Sequence, residues 1–101
     1  MILIYVVCAN ADEARRISRH LLEQRLGACT NLFPIESAYW WEGKIVEDKE
    51  TGLIVKTVPE NFEKVKQAVQ KLHSYQAPCI IAVDVAKVED KYLAWLRSEV
   101  R

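Results

Sequence analysis

Apolar residues form two different patterns along the first quarter of the chain, a continuous run and then a run with helical spacing. The run from Ile2 to Cys8 is apolar throughout, which is typical of a central strand buried on both sides or by an oligomer. In the next segment, about Ala11 to Leu26, apolar residues recur at helical spacing. Asn10 is a plausible N-cap with Glu13 as a variant capping box, and Gly27 supplies a stop signal. The pattern predicts a strand followed by a helix.

Two long apolar and β-branched arms flank Glu42-Gly43 and predict a hairpin with a two-residue turn. Pro34, early in the first arm, suggests that this second strand lies at an edge of the sheet. If regular, each arm would reach roughly 40 Å, although a domain of this size has a radius of gyration of only about 13 Å. The tip must therefore bend over its own core, project into solvent or pair with another chain.

The second half of the chain repeats the order of helix and strand. Pro59 suits the first turn of a second helix, whose apolar stripe ends near His73. Ser74 to Pro78 is a loop, and Cys79 to Val85 has the β-branched character of a fourth strand. A last short helix is predicted at about Glu89 to Val100.

This order of elements predicts an α+β, ferredoxin-like β-α-β-β-α-β fold with a short C-terminal helix. Residues 1–101 form one domain in this interpretation, because no linker composition divides the chain. We expect the spatial strand order 4-1-3-2, with the third strand parallel to the first and both main helices on one face. The other face would be bare, and bare apolar faces of this kind favour self-association.

Composition and charge narrow the classes of partner. Lys+Arg and Asp+Glu number 14 each, so the field that attracts nucleic acid or anionic membranes is absent. The apolar N-terminus lacks a basic region, a cleavage site and the length of a membrane span, which favours a cytoplasmic protein. The three cysteines have no CxxC spacing and suit free thiols in a reducing compartment.

Several motifs occur together in an order that resembles the CutA family of divalent-cation tolerance proteins. The similarity covers essentially the whole chain and is carried by these stretches: Tyr39-Trp40-Trp41-Glu42-Gly43-Lys44, Glu50 with Lys56-Thr57, His73-Ser74-Tyr75-Gln76-Ala77-Pro78, and Tyr92-Leu93-Ala94-Trp95-Leu96. The resemblance implies a ferredoxin-like fold, a homotrimer formed through the long hairpins, and an association with copper binding and metal tolerance. It also implies a metal-binding role for Cys8 and His73.

The expected strand order adds Cys79 to this pair. The end of the first strand would lie beside the start of the fourth, so Cys8 and Cys79 become neighbours, and Lys56 and Thr57 would reach the same edge. Two thiols and an imidazole are soft ligands suited to Cu(I), or with a further donor to Zn(II). The predicted metal ligands are therefore Cys8, His73 and Cys79, with copper or another divalent ion as the cofactor. In the alternative interpretation the cysteines are small buried hydrophobes and His73 merely ends a helix.

The aromatic run Tyr39-Trp40-Trp41 allows two interpretations. It could be a stacking platform for nucleic acid or a small aromatic ligand, but neutral charge argues against nucleic acid. Adjacent strand residues point to opposite faces, so Trp40 and Trp41 cannot face the same core, and a contact between subunits is favoured. The following run Glu47-Asp48-Lys49-Glu50 is interpreted as a solvated strand edge or an inter-subunit ion pair.

No set of nucleophile, base and orienting residue can be assembled, although a pairing of Cys8 with His73 is conceivable, so we do not expect an enzyme. The favoured function is a cytoplasmic, trimeric divalent-cation tolerance protein that binds copper or another soft metal ion. The first alternative is a trimeric small-molecule sensor similar to the PII proteins, with ligand clefts between subunits. The second is a structural platform for a partner.

Overall fold

The structure, a computed structural model, describes all 101 residues. A four-stranded antiparallel sheet in the order β2-β3-β1-β4 carries α1 and α2 on one face, while α3 contacts β3. This arrangement confirms the predicted fold class and strand order. The elements are β1 (Ile2–Cys8), α1 (Ala11–Glu23), β2 (Cys29–Trp41), β3 (Lys44–Thr57), a 3-10 turn (Pro59–Asn61), α2 (Phe62–Leu72), β4 (Ile80–Asp84) and α3 (Asp90–Glu99).

One predicted strand direction is wrong. β3 runs antiparallel to β1, with Cys8 opposite Thr51 and Ile2 opposite Thr57. The crossover through α1 makes β2 parallel to β1, and the tight hairpin then reverses the chain, so β3 must oppose both. Lys56 and Thr57 therefore lie at the start of β1, at the opposite end of the sheet from Cys8.

The core lies between the sheet and the two main helices. Alternate residues of β1 face the helices, and each aliphatic side chain buried in this way contributes about 1.5–3 kcal/mol to folding. The helical stripes predicted from the sequence supply the opposite wall. The core consists of Ile2, Ile4, Val6, Cys8, Ala14, Ile17, Leu21, Leu53, Val55, Val65 and Val69.

The end of α1 differs from its prediction. The helix stops at Glu23, because Arg25 adopts a φ of 59° and the Leu26 amide donates back to the Leu21 carbonyl. Gly27 is not the left-handed residue that ends the helix. A Cβ atom at Gly27 would lie 2.7 Å from Cγ1 of Val55, so this glycine permits close packing onto β3.

The hairpin turn is the one that the sequence predicts. Glu42 and Gly43 have φ values of 50° and 78°, as a type I′ turn requires, and Trp41 pairs with Lys44. β2 is an edge strand, also as predicted. The molecule measures 46 × 26 × 21 Å, and Trp40 at the hairpin tip is 72% exposed with Ile45 opposite it at 63%. The tip therefore projects into solvent.

The sheet face opposite α1 and α2, here called the open face, carries the alternate β1 residues Leu3, Tyr5 and Val7. The rings of Tyr5 and Phe33 stack there with a centroid distance of 6.3 Å. α3 covers one end, where the Lys56 ammonium lies 5.7 Å from the Tyr92 ring centroid. No helix combines the length and the apolar composition that a transmembrane span requires. The remaining open face is a partly apolar surface.

Candidate metal centre and adjacent cleft

Two of the three predicted metal ligands come together in the structure. Cys8 ends β1, and His73 is the first residue after α2. Glu13, in the first turn of α1, joins them, and one ligand atom from each of the three residues lies within 4.8 Å of the others. We call these three residues the Cys8 cluster. It contains a sulfur, a nitrogen and an oxygen donor.

The Glu13 carboxylate is held by backbone amides from two sides. Asn10 caps α1 by accepting from the Glu13 amide at 2.9 Å, which orients this helical turn. Oε1 of Glu13 accepts from the Ala9 amide and Oε2 from the Ser74 amide, both at 3.2 Å. Burial alone would raise the Glu13 pKa, but the hydrogen bonds from Ser74 and Ala9 and the nearby His73 outweigh it and lower the pKa. Glu13 is therefore an anion at neutral pH.

Both ring nitrogens of His73 are already hydrogen-bonded. The Tyr75 amide can only donate, so Nδ1 at 3.0 Å accepts and the ring proton is on Nε2. Nε2 donates to the Val7 carbonyl at 2.7 Å and lies 3.4 Å from Oε1 of Glu13. The side chain is completely buried. A metal ion could bind His73 only by replacing one of these hydrogen bonds.

The Cys8 thiol is fully buried in the core. Burial, followed by the negative charges of Glu13 and Glu50, raises its pKa to about 12. A thiol of this kind is neutral at physiological pH, whereas catalytic cysteines have a lowered pKa. The conceivable Cys8–His73 pair therefore lacks an activated nucleophile.

Cys79 does not join the Cys8 cluster, which corrects the predicted convergence. The Val7 amide donates to the Cys79 carbonyl at 3.3 Å, and Val6 is in register with Ile80. Cys79 therefore shares the open face with Val7, while Cys8 points to the helices. The predicted strand neighbours are adjacent in backbone, but their sulfurs lie on opposite faces of the sheet.

A cleft of about 720 Å³ opens on the same side as Cys79, between the base of the hairpin and the loop after α2. Its lining is mostly apolar and aromatic, with Glu50 as the charged member. The Tyr75 hydroxyl donates to Oε2 of Glu50 at 2.7 Å, and the Tyr39 hydroxyl donates to Asp48 at 3.1 Å. The lining consists of Val7, Ser37, Ala38, Tyr39, Trp41, Glu50, Tyr75, Gln76, Ala77 and Cys79.

Comparison with known proteins identifies the family. Residues 2–99 match the family described as CutA1 divalent ion tolerance protein. The chain belongs to the CutA1 family. The divalent-cation tolerance protein CutA of Archaeoglobus fulgidus is 43% identical over 97 residues, 96% of this chain and 95% of the relative. That of Thermotoga maritima is 45% identical over 100 residues, 99% of each chain.

Solved CutA structures have the same fold. The crystal structure of CutA1 from Pyrococcus horikoshii gives a TM-score of 0.96 at 42% identity, covering 100% of this chain and 99% of that one. The A. fulgidus protein, described as a periplasmic divalent cation tolerance protein, gives 0.98 at 42% identity with 100% of both chains covered. A relative from Arabidopsis thaliana is described as chloroplastic. CutA relatives thus carry different compartment names, and the cytoplasm stays a prediction for this chain.

Two acidic residues of this CutA1 chain, Glu13 in the Cys8 cluster and Glu50 in the cleft, were not among the site residues predicted from the sequence. Glu13 was expected only as a capping residue, yet its capping position directs the carboxylate to the end of β1. For Glu50 the expectation is a solvated strand edge or an inter-subunit ion pair; the residue is only 9% exposed, while Glu47, Asp48 and Lys49 are exposed. Neither residue has an identifying spacing, but the position of Glu13 after an N-cap was a usable signal.

Proposed function

We propose that this protein is a non-enzymatic divalent-cation tolerance protein that binds copper or another soft metal ion and acts as a homotrimer. Membership of the CutA1 family supports the tolerance function. The observation that carries the metal-binding part is the distance of at most 4.8 Å among donor atoms of Cys8, Glu13 and His73. Cys8 and His73 are also the two residues on which the resemblance predicted a metal role.

The chemistry of the donors selects the class of metal. Thiolate and imidazole are ligands for copper and zinc, whereas Mg²⁺ and Ca²⁺ require several oxygen ligands. The Cys8 cluster offers one carboxylate. Cys79 lies on the other face of the sheet, so the cluster lacks the second thiol that was expected for a Cu(I) site. Its donors are one thiolate, one imidazole and one carboxylate. This mixed set favours Cu(II) or Zn(II), with copper bound more tightly in the usual affinity order.

Metal binding at the Cys8 cluster must displace protons and hydrogen bonds. The thiol has a pKa of about 12, so binding as a thiolate releases its proton over the whole physiological range. His73 must give up the bond from the Tyr75 amide or the bond to the Val7 carbonyl. We therefore expect affinity to increase with pH, by up to about tenfold per pH unit for the thiol proton.

The trimer proposal is supported by the hairpin. Its tip exposes Trp40, Trp41 and Ile45 to solvent at 72%, 61% and 63%. Exposed aromatic residues on a long edge strand are features of protein interfaces, and an unpaired edge invites pairing with another chain. We propose that the hairpins of three copies pair and bury at least one of the two indoles.

The cytoplasm is the compartment we propose. All three cysteines are free, and Cys29 and Cys79 are partly exposed. Free exposed thiols persist in a reducing environment.

A competition titration with Cu(II), Zn(II) and Mg(II) tests the metal site. Cys8→Ser should weaken Cu(II) and Zn(II) binding by at least about tenfold, because one of three donors is lost. Cys79→Ser makes the same chemical change on the other sheet face and should leave both affinities unchanged. Equal affinities for the wild type and both variants, or a preference for Mg(II), would overturn the assignment.

The second candidate is the PII-like small-molecule sensor. The cleft at the base of the hairpin favours it, because about 300–1,000 Å³ is the usual volume of small-molecule sites and this cleft holds about 720 Å³. A thermal-shift panel of metals, nucleotides and organic cations separates the two candidates, since a ligand that prefers the native state raises its stability.

A further inference from the structure

The cleft combines aromatic walls with one buried acidic group. Tyr39 and Trp41 of β2 project to the same face by strand alternation, and Tyr75 contributes from the loop after α2. Glu50 of β3 lies on that same face, two positions from Asp48. Aromatic faces around a carboxylate form the arrangement that proteins use to bind organic cations.

Glu50 has no cationic partner within the molecule. The residue is 9% exposed, and its one side-chain hydrogen bond comes from the Tyr75 hydroxyl. The ion pairs of the structure all lie elsewhere. A buried carboxylate without a counter-ion is unfavourable, so a bound cation would be stabilised at this position.

The ionisable groups around the cleft respond to this negative charge. Burial, and then Glu50, raises the pKa of the Cys79 thiol. Burial, and then Asp48, raises the pKa of Tyr39. These groups thus share a negative local field, and no lysine or arginine lines the cleft.

We propose that this cleft binds a small organic cation, an ammonium or guanidinium group attached to an apolar body. Glu50 would pair with the charge, while Trp41 and Tyr39 would contact the cation and the apolar part through their ring faces. A hard metal ion is disfavoured because the lining contains only one carboxylate, and a nucleotide is disfavoured because the lining contains no basic residue. The inference rests on the sensor function proposed as the second candidate and uses none of the three residues of the Cys8 cluster.

The ammonium or guanidinium group that pairs with Glu50 could also belong to a lysine or arginine of a second copy of the chain. The shape of the cleft favours a free small molecule instead. Its volume of about 720 Å³ suits a whole small molecule. Trp40 and Ile45 form a cross-strand pair on the opposite face of the hairpin. Self-association through that pair leaves Tyr39 and Trp41 available to the cleft.

Calorimetric titration of the protein with choline, and with its uncharged isostere 3,3-dimethylbutanol, tests the proposal. Choline should bind, and the neutral analogue should bind at least about tenfold more weakly because it lacks the charge. Glu50→Gln should reduce choline affinity by about tenfold, while Glu47→Gln, on the opposite face of the same strand, should not. Trp41→Leu should also weaken binding, and Trp95→Leu on α3, outside the hairpin and the cleft, should leave it unchanged.

Trp41 is an exposed side chain, so Trp41→Leu keeps the proposal testable if Glu50→Gln disturbs folding. Equal binding of choline and its isostere would overturn the proposal, as would unchanged affinity in Trp41→Leu. ATP binding in the cleft without choline binding would also overturn it while keeping the sensor function. A crystal structure of the assembled protein with a neighbour's lysine or arginine on Glu50 would overturn the free-ligand assignment and leave the metal site unaffected.

Discussion

At the scale of single residues, backbone conformation decides what the hairpin turn tolerates. Glu42 has a φ of 50°, a left-handed conformation that asparagine and glycine adopt more readily than glutamate. Its side chain makes no hydrogen bond or ion pair in the structure. The turn therefore contains a local conflict between residue type and conformation.

Glu42→Asn should raise the free energy of unfolding by about 0.5–1 kcal/mol, because Asn-Gly is the preferred type I′ turn sequence. Equilibrium denaturation at constant protein concentration measures the change. A decrease in stability would contradict this account of the turn, because it would show that the Glu42 side chain makes a stabilising contact that is not seen in the single chain.

Within the Cys8 cluster, Glu13 and His73 make their hydrogen bonds to backbone groups of neighbouring residues. Glu13 joins the end of β1 to the loop after α2 through its bonds from Ala9 and Ser74. Its folded pKa lies below the ordinary value of 4.5, so the unfolded chain takes up protons first as pH falls. The stability that Glu13 contributes is present above about pH 4.5 and is lost as pH falls through the lowered pKa.

Glu13→Gln should lower stability by about 1–3 kcal/mol at pH 7, because an amide has one acceptor oxygen facing two amide donors. The difference from wild type should shrink below pH 4.5. The exposed neighbour Asp12 is the control, and Asp12→Asn should have a small effect. Chemical denaturation at several pH values tests this, and a pH-independent difference for Glu13→Gln would contradict the lowered pKa.

At the scale of elements, the sequence predicts correctly those strands and turns that are determined by residues close together in the chain. The turn at Glu42-Gly43 fixes the register of β2 and β3, and β1 occurs at the predicted Ile2–Cys8. α1 ends at Glu23, earlier than Gly27 predicts as a stop signal, and this glycine instead permits close packing against Val55. Helix ends depend on backbone conformation at one residue, and Arg25 carries no sequence signal for it.

The candidate site required information that the sequence does not carry locally. The predicted strand order correctly places Cys79 next to β1. The sheet face on which its side chain lies depends on the strand register, because a shift of one residue moves every side chain to the other face. That register places Cys79 beside Val7 and away from Cys8. Resemblance to a family supplied Cys8 and His73, and only the fold added Glu13.

At the scale of the whole molecule, the hairpin is larger than its own core can cover. The monomer is 46 Å long, and its projecting tip exposes two indoles on opposite faces. Burial of such surfaces by other copies would stabilise the chain, so its stability should depend on protein concentration.

The wild type should sediment as a trimer at micromolar concentration. Replacing Trp40 and Trp41 together with serine should release monomer or cause aggregation, because the proposed interface buries at least one of these indoles. Trp95→Ser removes a partly exposed indole on α3, outside the hairpin, and should leave the trimer intact. A wild-type chain that sediments as a stable monomer would contradict the trimer proposal.

X-ray absorption spectroscopy of the copper-loaded protein tests the proposed metal centre most directly, because it counts the sulfur ligands at the metal. We predict one sulfur ligand with nitrogen and oxygen donors, and we expect that sulfur to disappear in Cys8→Ser and to persist in Cys79→Ser. Two sulfur ligands in the wild type, or a sulfur ligand that survives Cys8→Ser, would contradict the assignment of Cys8, Glu13 and His73 as the metal centre.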